Sequence, residues 1–535
     1  MKLKNDSTME KLRGAYYTPL QLARIIVDKL PNRKYARILE PSCGDGVFLD
    51  CIQDINYERV VAIEIEPKEA KKAKEKKIPR SSIMCEDFLS YYDKHDSEKF
   101  DLIIGNPPYI RYQYLTPEQR DLQNNILIKH GMKSNKLINA WVCFLVACVQ
   151  MLTDNGTIAF VLPAELLQVV YAEDLRLYLS EHLSKMTVIA FKSLVFPDIE
   201  QEIVVFVGEK SGEERGIRII EVADIEEYAN TQLDRFAFQP LLHTKDKWTK
   251  YFVSAEEADL IDTIRNDDRF APFSDFGIIN VGITTGNNKF FSIDSVTEAK
   301  YALESVTLPL IGRSSHAHGI YFTKNDWKHN IAEGKNAMLI NFPDVPYDIY
   351  PEKHRAYIEY GESTSENDGY KCSIRDRWYI VPSVWVPDAF FLRRNNLYPK
   401  FVINKCGAVS TDTMHRMKLN KGVNADNLLL GYYNSISFAF AEICGRSYGG
   451  GVLEILPKEM GNILIPRIER IDPTLRKSLL KKIDNIVRRD LDIEEALDIV
   501  DKEVLINELG IDPDWCTKMR KVWHRLQQRR LSRSE

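Results

Sequence analysis

The sequence predicts an α/β fold with a mostly parallel sheet, followed by a mixed, β-containing region and a helical end. From about residue 36 to 207, short β-branched runs alternate with amphipathic stretches, as in sheets whose strands are joined by helices. From 270 to about 466, aromatic residues, glycines and turn signals indicate irregular β structure with long loops. Beyond 466 the apolar spacing is helical. We therefore expect domains at 1–245, 246–466 and 467–535.

The strands of the first domain are predicted at ARILE, RVVAIEIE, FDLIIGN, GTIAFVLP, MTVIAF and EIVVFVGE. The segment NAWVCFLVACVQMLT has the length and apolar spacing of a buried crossover helix. A polar stretch, GEKSGEERG, follows the last run and leads towards the first boundary. The final residues, KMRKVWHRLQQRRLSRSE, are basic.

Composition sets limits on the function. With 535 residues, 44% of them hydrophobic and 28% charged, the chain reads as a globular protein of two or three domains. A net charge of -5 argues against a uniformly basic nucleic-acid coat but leaves a local cleft open. The nine cysteines lack paired spacing, which predicts reduced thiols and no structural zinc. We see no signal peptide or membrane span, so we expect a cytoplasmic protein.

A glycine loop follows the first strand. ARILE leads into EPSCGDGVFLD, so Gly44 and Gly46 fall in a strand-to-helix turn where a ligand can approach the backbone. By itself this pattern fits a plain tight turn equally well. Glu64 ends the next strand roughly 20 residues later, where an acidic side chain can accept both hydroxyls of a ribose.

A second acidic position lies in CEDFL, after a short apolar run. Asp87 could accept from an adenine amino group, and Phe88 could place a ring against the adenine face. An aspartate in such a sequence is more often an ordinary surface residue, so this pair carries weight only together with the other motifs.

The most specific signal is Asn106-Pro107-Pro108-Tyr109, directly after strand FDLIIG. Ligands of such sheets bind at this carboxyl edge. The prolines fix the backbone and leave the Asn106 side chain and the Pro107 carbonyl as acceptors, between which an amino group could donate both hydrogens. Tyr109 offers a flat surface for a base. A chance occurrence of these four residues is on the order of one per cent.

With these residues, the sequence resembles the gamma-class DNA adenine-N6 methyltransferases of the TaqI-like type, methylases of type II restriction-modification systems. The likeness lies in GAYYTP (14–19), LEPSCGDGVFL (39–49), IEIEP (63–67), EDF (86–88) and NPPYIR (106–111), followed by KLINAWVCFL, NGTIAFVLPAELL and LVFPDIEQEIVVFV. It is clear over the first 210 residues and looser over 270–466, chiefly in VGITTGNNKFF and RSYGGGVLEILP. It implies a Rossmann-like class I SAM-dependent methyltransferase domain followed by a DNA target-recognition domain.

The resemblance also implies a site. S-adenosyl-L-methionine would be held, without a metal, by Tyr17, Thr18, Glu40, Ser42, Gly44, Gly46, Glu64, Asp87, Phe88 and Asn106. The target adenine would be held by Asn106, Pro107, Tyr109 and Phe196. Glu66 could replace Glu64, and Asp198 and Glu200 make the stretch after Phe196 unexpectedly acidic beside DNA.

The implied reaction is direct methyl transfer to N6 of an adenine flipped out of the duplex. The expected partners are double-stranded DNA with a specific recognition sequence and a cognate restriction endonuclease, with no membrane and a monomeric or dimeric state. Three alternatives stay open: a methylase of RNA or protein glutamine, a methylation or specificity subunit active only in a larger restriction complex, and a fused endonuclease. RNA and glutamine methylases need far less chain. We find no endonuclease pattern and expect methylation without cleavage.

Two sets of basic residues are candidates for DNA contact. The candidates for base readout are Arg313, His316, Arg377, Arg393, Arg394 and Arg446. The basic end carries Lys518, Arg520, Lys521, Arg525, Arg529, Arg530 and Arg533, which would either contact phosphates or form a solvated helix face.

Overall fold

The computed structural model describes residues 17–133, 138–195, 202–211, 215–240, 247–248, 252–448 and 451–532. Phe196, Asp198, Glu200, Arg533 and the first three residues of GAYYTP lie outside these ranges, so the predictions for them stay untested. The chain forms two units, of which the first ends at Phe252 and the second begins at Val253.

The first unit is built on an eight-stranded sheet. Its strands are β1 (Tyr35–Glu40), β2 (Tyr57–Glu64), β3 (Ser81–Cys85), β4 (Phe100–Gly105), β5 (Leu152–Pro163), β6 (Lys185–Phe191), β7 (Ile203–Glu209) and β8 (Gly216–Val222). Their order is β3-β2-β1-β4-β5-β7-β6-β8, and β7 runs antiparallel to both of its neighbours. All the other pairs are parallel, so the predicted α/β class is confirmed.

Helices connect and cover these strands: α1 (Leu20–Asp28), α2 (Val47–Cys51), α3 (Pro67–Glu75), α4 (Phe88–His95), α5 (Pro117–Lys129), α6 (Ala140–Gln150), α7 (Glu173–His182) and α8 (Ile225–Asn230). The predicted crossover helix is α6, which is buried from Ala140 to Val149. An apolar surface all round suits a helix packed on every side. It joins β4 to β5, whose parallel pairing requires such a crossover.

The second unit holds smaller sheets. Its strands are β9 (Phe270–Pro272), β10 (Gly277–Val281), β11 (Ser292–Ile293), β12 (Thr307–Ile311), β13 (Tyr321–Phe322), β14 (Met338–Ile340), β15 (Ala389–Leu392), β16 (Arg394–Asn395), β17 (Phe401–Asn404), β18 (Val409–Ser410), β19 (Met414–Leu419), β20 (Arg446–Tyr448), β21 (Val452–Glu454) and β22 (Leu464–Pro466). The two largest sheets have the orders β10-β19-β15-β17-β13 and β11-β14-β12-β18. The predicted β structure is therefore present.

Helices are more numerous in this unit than the sequence suggested. They are α9 (Ala255–Arg265), α10 (Asn288–Phe291), α11 (Ser295–Tyr301), α12 (Lys324–Ala332), α13 (Glu352–Ser363), α14 (Tyr370–Ser373), α15 (Ala425–Tyr432), α16 (Ser435–Cys444), α17 (Pro457–Gly461), α18 (Pro473–Arg488), α19 (Ile493–Val500) and α20 (Pro513–Leu531). A π-helical segment, Asp501–Ile506, follows α19.

The basic end differs from its prediction. The segment from 467 is not a separate unit, because α20 belongs to the same unit as the strands before it. Arg530 is 2% exposed and its Nη2 lies 2.9 Å from Glu442 Oε1 on α16. Arg520 pairs with Asp501 at 2.8 Å. Lys518 and Arg525 also pair with acidic residues of the unit. Arg530 and Arg520 are tied to buried acidic side chains, and the phosphate-contact hypothesis is wrong for the buried Arg530. For the partly exposed Lys518 and Arg525 it stays a prediction.

Candidate functional site

Three neighbouring strands end together at the carboxyl edge of the large sheet. β1 lies between β2 and β4, so Glu40, Glu64 and the residue after Gly105 emerge side by side. Parallel strands bring their carboxyl ends to one edge, which is where ligands of such sheets bind. The sequence-predicted residues are thus gathered by topology.

The glycine loop closes over this edge. Gly44 and Gly46 have positive φ angles of 53° and 88°, which glycine adopts without strain. A Cβ on Gly44 would lie 3.7 Å from Cε1 of Tyr17, so the tyrosine ring sits against the loop. Thr18, beside it, is buried. The end of GAYYTP therefore meets the loop, as its assignment to the same site requires.

Two carboxylates lie under the loop. Glu64 Oε2 accepts from the Gly44 amide and Oε1 from the Glu66 amide, each at 2.8 Å. Glu40 is 1% exposed, and its Oε2 accepts no hydrogen bond from any described residue. Burial and the charge of Glu64 raise the pKa of Glu40 well above its ordinary value, and burial raises that of Glu64. Such a pair favours a cationic ligand.

S-adenosylmethionine fits this chemistry. It is a cation with both a sulfonium and an ammonium group, and it carries ribose hydroxyls that a carboxylate such as Glu64 can accept. The unsatisfied Glu40 oxygen supplies an acceptor of the required charge. The fit of S-adenosylmethionine to this edge therefore rests on the acceptors that Glu40 and Glu64 provide.

The Asn106–Ile110 loop is fixed at three points. Ser42 Oγ donates to the Asn106 carbonyl at 3.1 Å. Tyr109 Oη donates to the Val161 carbonyl on β5 at 3.1 Å. The Ala140 amide, at the start of α6, donates to the Ile110 carbonyl at 2.9 Å. With two prolines inside it, the loop is rigid and pre-organised.

Asp87 and Phe88 have structural roles within the first unit. Asp87 caps α4, accepting from the Leu89 and Ser90 amides, and it also accepts from Gln119 at 2.7 Å. The Phe88 ring is 2% exposed and packs on Phe144 with centroids 4.8 Å apart. Their contact with a cofactor adenine stays a prediction.

Sequence reasoning missed a polar cluster beside the loop. Asn139, the residue before α6, donates from Nδ2 to Tyr171 Oη at 3.1 Å and to Glu165 Oε2 at 3.3 Å. Glu165 follows the end of β5, and the next amide along the chain from Asn139 is the one that holds Ile110. The cluster spans 32 residues of sequence, from Asn139 to Tyr171. The motif NGTIAFVLPAELL was the only sequence signal that could have pointed to Glu165.

The six candidates for base readout separate into three cases. His316 is 4% exposed and burial lowers its pKa to about 4, so its prediction as a base reader is wrong. Arg313 is exposed. The other four lie next to carboxylates: Arg377 beside Asp344, Arg393 and Arg394 beside Glu454, and Arg446 beside Glu459.

Other expectations concern cysteines, metals and membranes. All nine cysteines lie in the described ranges, and none forms a disulfide. Within those ranges no cluster of His, Cys, Asp or Glu side chains could hold a metal ion. The described helices include none with the length and apolar character needed to span a membrane.

The topology and the site define a class I SAM-dependent methyltransferase fold, and the sequence matches place the chain more closely. Residues 46–196 match the Eco57I restriction-modification methylase family. Residues 245–505 match the C-terminal domain of the type II methyltransferase M.Eco57I. The chain belongs to this family of restriction-modification methylases.

Full-length relatives agree with this assignment. The chain is 23% identical to type II methyltransferase M.AccI of Acinetobacter calcoaceticus, with 94% of each chain covered. It is 23% identical to M.HindII of Haemophilus influenzae, covering 95% of this chain and 99% of that one. Among solved structures, the type IIL restriction-modification enzyme MmeI in complex with DNA shares the fold, with a TM-score of 0.57 and 12% identity over 98% of this chain and 80% of that one.

Proposed function

We propose that the chain is a site-specific DNA methyltransferase that transfers the methyl group of S-adenosylmethionine to N6 of adenine in duplex DNA. The observation that carries the proposal is the pinned Asn106-Pro107 loop beside the buried Glu40 and Glu64 carboxylates. One edge thereby offers acceptors for an amino group next to a site for a cation. A cognate restriction endonuclease would act on the same sequence.

The cofactor supplies an electrophilic methyl group on its sulfonium. Glu40 and Glu64 hold the cationic and ribose parts, while Tyr17, Thr18 and Gly44 close the site around it. Ser42 serves indirectly, through its hydrogen bond to Asn106. Asp87 and Phe88 are proposed to hold the cofactor adenine.

Asn106 and Pro107 orient the substrate. Their oxygens accept the two hydrogens of the adenine amino group, so its lone pair is directed at the methyl carbon, and catalysis is mainly orientation and electrostatics. The base must leave the duplex, at a cost of about a few kcal/mol. Stacking on Tyr109 and Phe196 offsets part of that cost.

Duplex DNA is favoured over RNA or protein as the substrate. The alignments with the type II relatives M.AccI and M.HindII cover 94% or more of this chain, the second unit included. The tRNA methyltransferase of Bacteroides fragilis matches only 25% of it. The second unit is therefore proposed to read the target sequence.

Nucleoside analysis tests the proposal. Purified protein incubated with S-adenosylmethionine and duplex DNA should yield N6-methyladenine by mass spectrometry. Asn106→Ala should abolish transfer while binding of cofactor and DNA persists, because the amide orients the amino group and contributes little to holding either ligand. Methylcytosine as the product, or full turnover of Asn106→Ala, would contradict the assignment. Long-read sequencing of DNA from expressing cells would then give the recognition sequence.

The same incubation with added magnesium tests cleavage. We expect methylated, uncut DNA, because the sequence shows no endonuclease pattern. Cut DNA that depends on the cofactor would show a nuclease in the chain.

A further inference from the structure

Three segments of the second unit end side by side. β12 pairs in parallel with β18, through Leu310 with Val409 and Ile311 with Ser410. Ile283, just beyond β10, lies parallel to Thr411. All three segments run in one direction, so the residues that follow them leave at one edge. The outer two are separated by two strand spacings, about 10 Å.

This edge is held by a close backbone approach. A Cβ on Gly282 would lie 1.8 Å from the Thr411 carbonyl oxygen, so only glycine fits there. The Ile283 amide donates to the Ser410 carbonyl at 2.8 Å. Beyond it the segments expose Thr284, Ser314 and Ser315, whose hydroxyls are groups that bind phosphate oxygens.

Four cations surround these segments, and we call them the cationic edge: Arg313, Lys371, Arg375 and Arg416. Arg313 is exposed on the segment after β12. Arg375 donates to the Thr284 carbonyl at 3.1 Å, and Arg416 donates to the Val281 carbonyl at 3.0 Å. Lys371 is exposed, with its Cβ 3.0 Å from where a Cβ on Gly286 would be.

These four cations have no acidic partner among the residues that the structure describes. Within the described ranges, no carboxylate lies within ion-pair distance of any of the four. Arg375 donates to the carbonyls of Trp378 and Thr284. Arg416 donates to the carbonyls of Val281 and Ser383. Elsewhere in the unit, carboxylates pair with Arg269, Arg377, Arg393, Arg446, Arg467, Arg488, Arg520, Arg525 and Arg530.

Lys371, Arg375 and Arg416 have carbonyl or aromatic contacts, but none of the four cations has an acidic partner in the described part of the chain, so their charge favours an anion. Arg416 is 4% exposed, and burial lowers its pKa and that of Arg375. The exposed carboxylates along these segments, Asp376 and Asp412, leave the edge net positive in a chain of net charge -5. An extended polyanion spanning about 10 Å would meet both Arg313 and the Thr284 side of the edge.

We propose that the cationic edge binds the phosphate backbone of DNA. Arg313 and Lys371 contact phosphates directly, while Arg375 and Arg416 fix the loop and add positive potential. The inference rests on the proposed function, since it assumes that duplex DNA is the substrate. It assigns to this edge the backbone contact that the sequence had suggested for the basic end.

Salt dependence of DNA binding tests the site. The full chain carrying Arg313→Gln and Lys371→Gln is compared with wild type by fluorescence anisotropy on a duplex of mixed sequence. Each lost phosphate contact lowers the slope of log affinity against log salt by about 0.9, so the double variant should lose about 1.8. Arg313→Lys should keep the slope. The matched control is Arg467→Gln with Lys418→Gln, two exposed cations of the same unit that are paired with Asp275 and Asp388.

The possible outcomes distinguish a failure of the cationic edge from a failure of the proposed function. A wild-type slope in the double variant, in a protein that methylates DNA, overturns the cationic edge and leaves the proposed function standing. A loss confined to the recognition sequence means base readout and also overturns the phosphate assignment. If the wild-type chain binds and methylates no duplex, the proposed function itself fails. Unchanged circular dichroism and unchanged cofactor binding show that the variants are folded.

Discussion

Glu40 combines burial, a charged neighbour and an oxygen without a partner among the described residues. Its pKa in the folded protein is raised above the ordinary 4.5. A raised folded pKa means that ionisation disfavours the folded state. The free energy of unfolding of the cofactor-free protein should therefore fall as pH rises from about 4.5 through the folded pKa. A cationic ligand would reverse that effect by pairing with the carboxylate.

Glu40→Gln should remove this contribution to the pH dependence and weaken cofactor binding about tenfold or more, since a hydrogen bond to a charged group is worth roughly 1.5–3 kcal/mol. Urea unfolding across pH and calorimetric titration with S-adenosylmethionine measure the two effects. Glu75→Gln, an exposed carboxylate of the same unit, is the control. Wild-type affinity in Glu40→Gln would exclude Glu40 from the cofactor site.

Tyr109 has an anchoring hydroxyl that can be removed without removing its ring. Tyr109→Phe loses the bond to the Val161 carbonyl and should cost about 0.5–1.5 kcal/mol of stability. We expect slower single-turnover methylation with unchanged cofactor binding, because only the catalytic loop gains freedom. Tyr114→Phe, at a tyrosine 39% exposed, is the matched control. Equal rates for the two variants would show that the anchor is irrelevant to transfer.

At the scale of elements, α20 is a core helix with buried ion pairs. Arg530 and Glu442 are 2% and 3% exposed as side chains. Removing one partner of such a pair leaves an uncompensated buried charge, which costs about 3–5 kcal/mol. Glu442→Gln should therefore unfold the second unit at lower urea concentration. Lys521→Gln, on the exposed side of α20, should stay within about 0.5 kcal/mol of wild type. Similar midpoints for both variants would contradict this role of the pair.

How far the sequence predicts each element depends on how local its signal is. β1, β2, β4, β5, β6 and β7 are apolar runs, and all were predicted. β3 and β8 were missed, because SSIMC is short and GIRIIEV is interrupted by polar residues. α15 and α16 lie in a region whose glycines and aromatic residues resemble turn signals. Arg530 looked like a free cation because its partner is 88 residues away.

The same limit applies to the site. Gly44, Glu64 and Asn106 were predicted because each lies at or shortly after the carboxyl end of a strand, so chain order determines their place at the edge. Asn139 and Glu165 reach the edge from the helix and strand beside it, through contacts that only folding creates. His316 failed as a base reader because its burial depends on tertiary packing and not on neighbouring residues.

At the scale of the whole molecule, each unit has a hydrophobic core of its own. Among the described residues, one core lies within residues 22–248, and the second unit buries apolar side chains of its own from Val253 to Leu526. Separate cores can melt separately, so we expect calorimetry to show two transitions. S-adenosylhomocysteine at about 100 times its Kd stabilises the state that binds it by about 2.7 kcal/mol. It should raise the transition of the first unit alone, and Glu40→Gln should reduce that rise.

Glu442→Gln should lower the other transition and leave the first in place, because both charges of the pair belong to the second unit. The two perturbations together assign each transition to its unit without cutting the chain. If the ligand and the variant shifted both transitions by equal amounts, the units would unfold as one cooperative block, and cofactor binding in the first would be thermodynamically linked to the stability of the proposed DNA-reading unit. Independent shifts would mean that each unit can bind its own ligand whether or not the other unit is occupied.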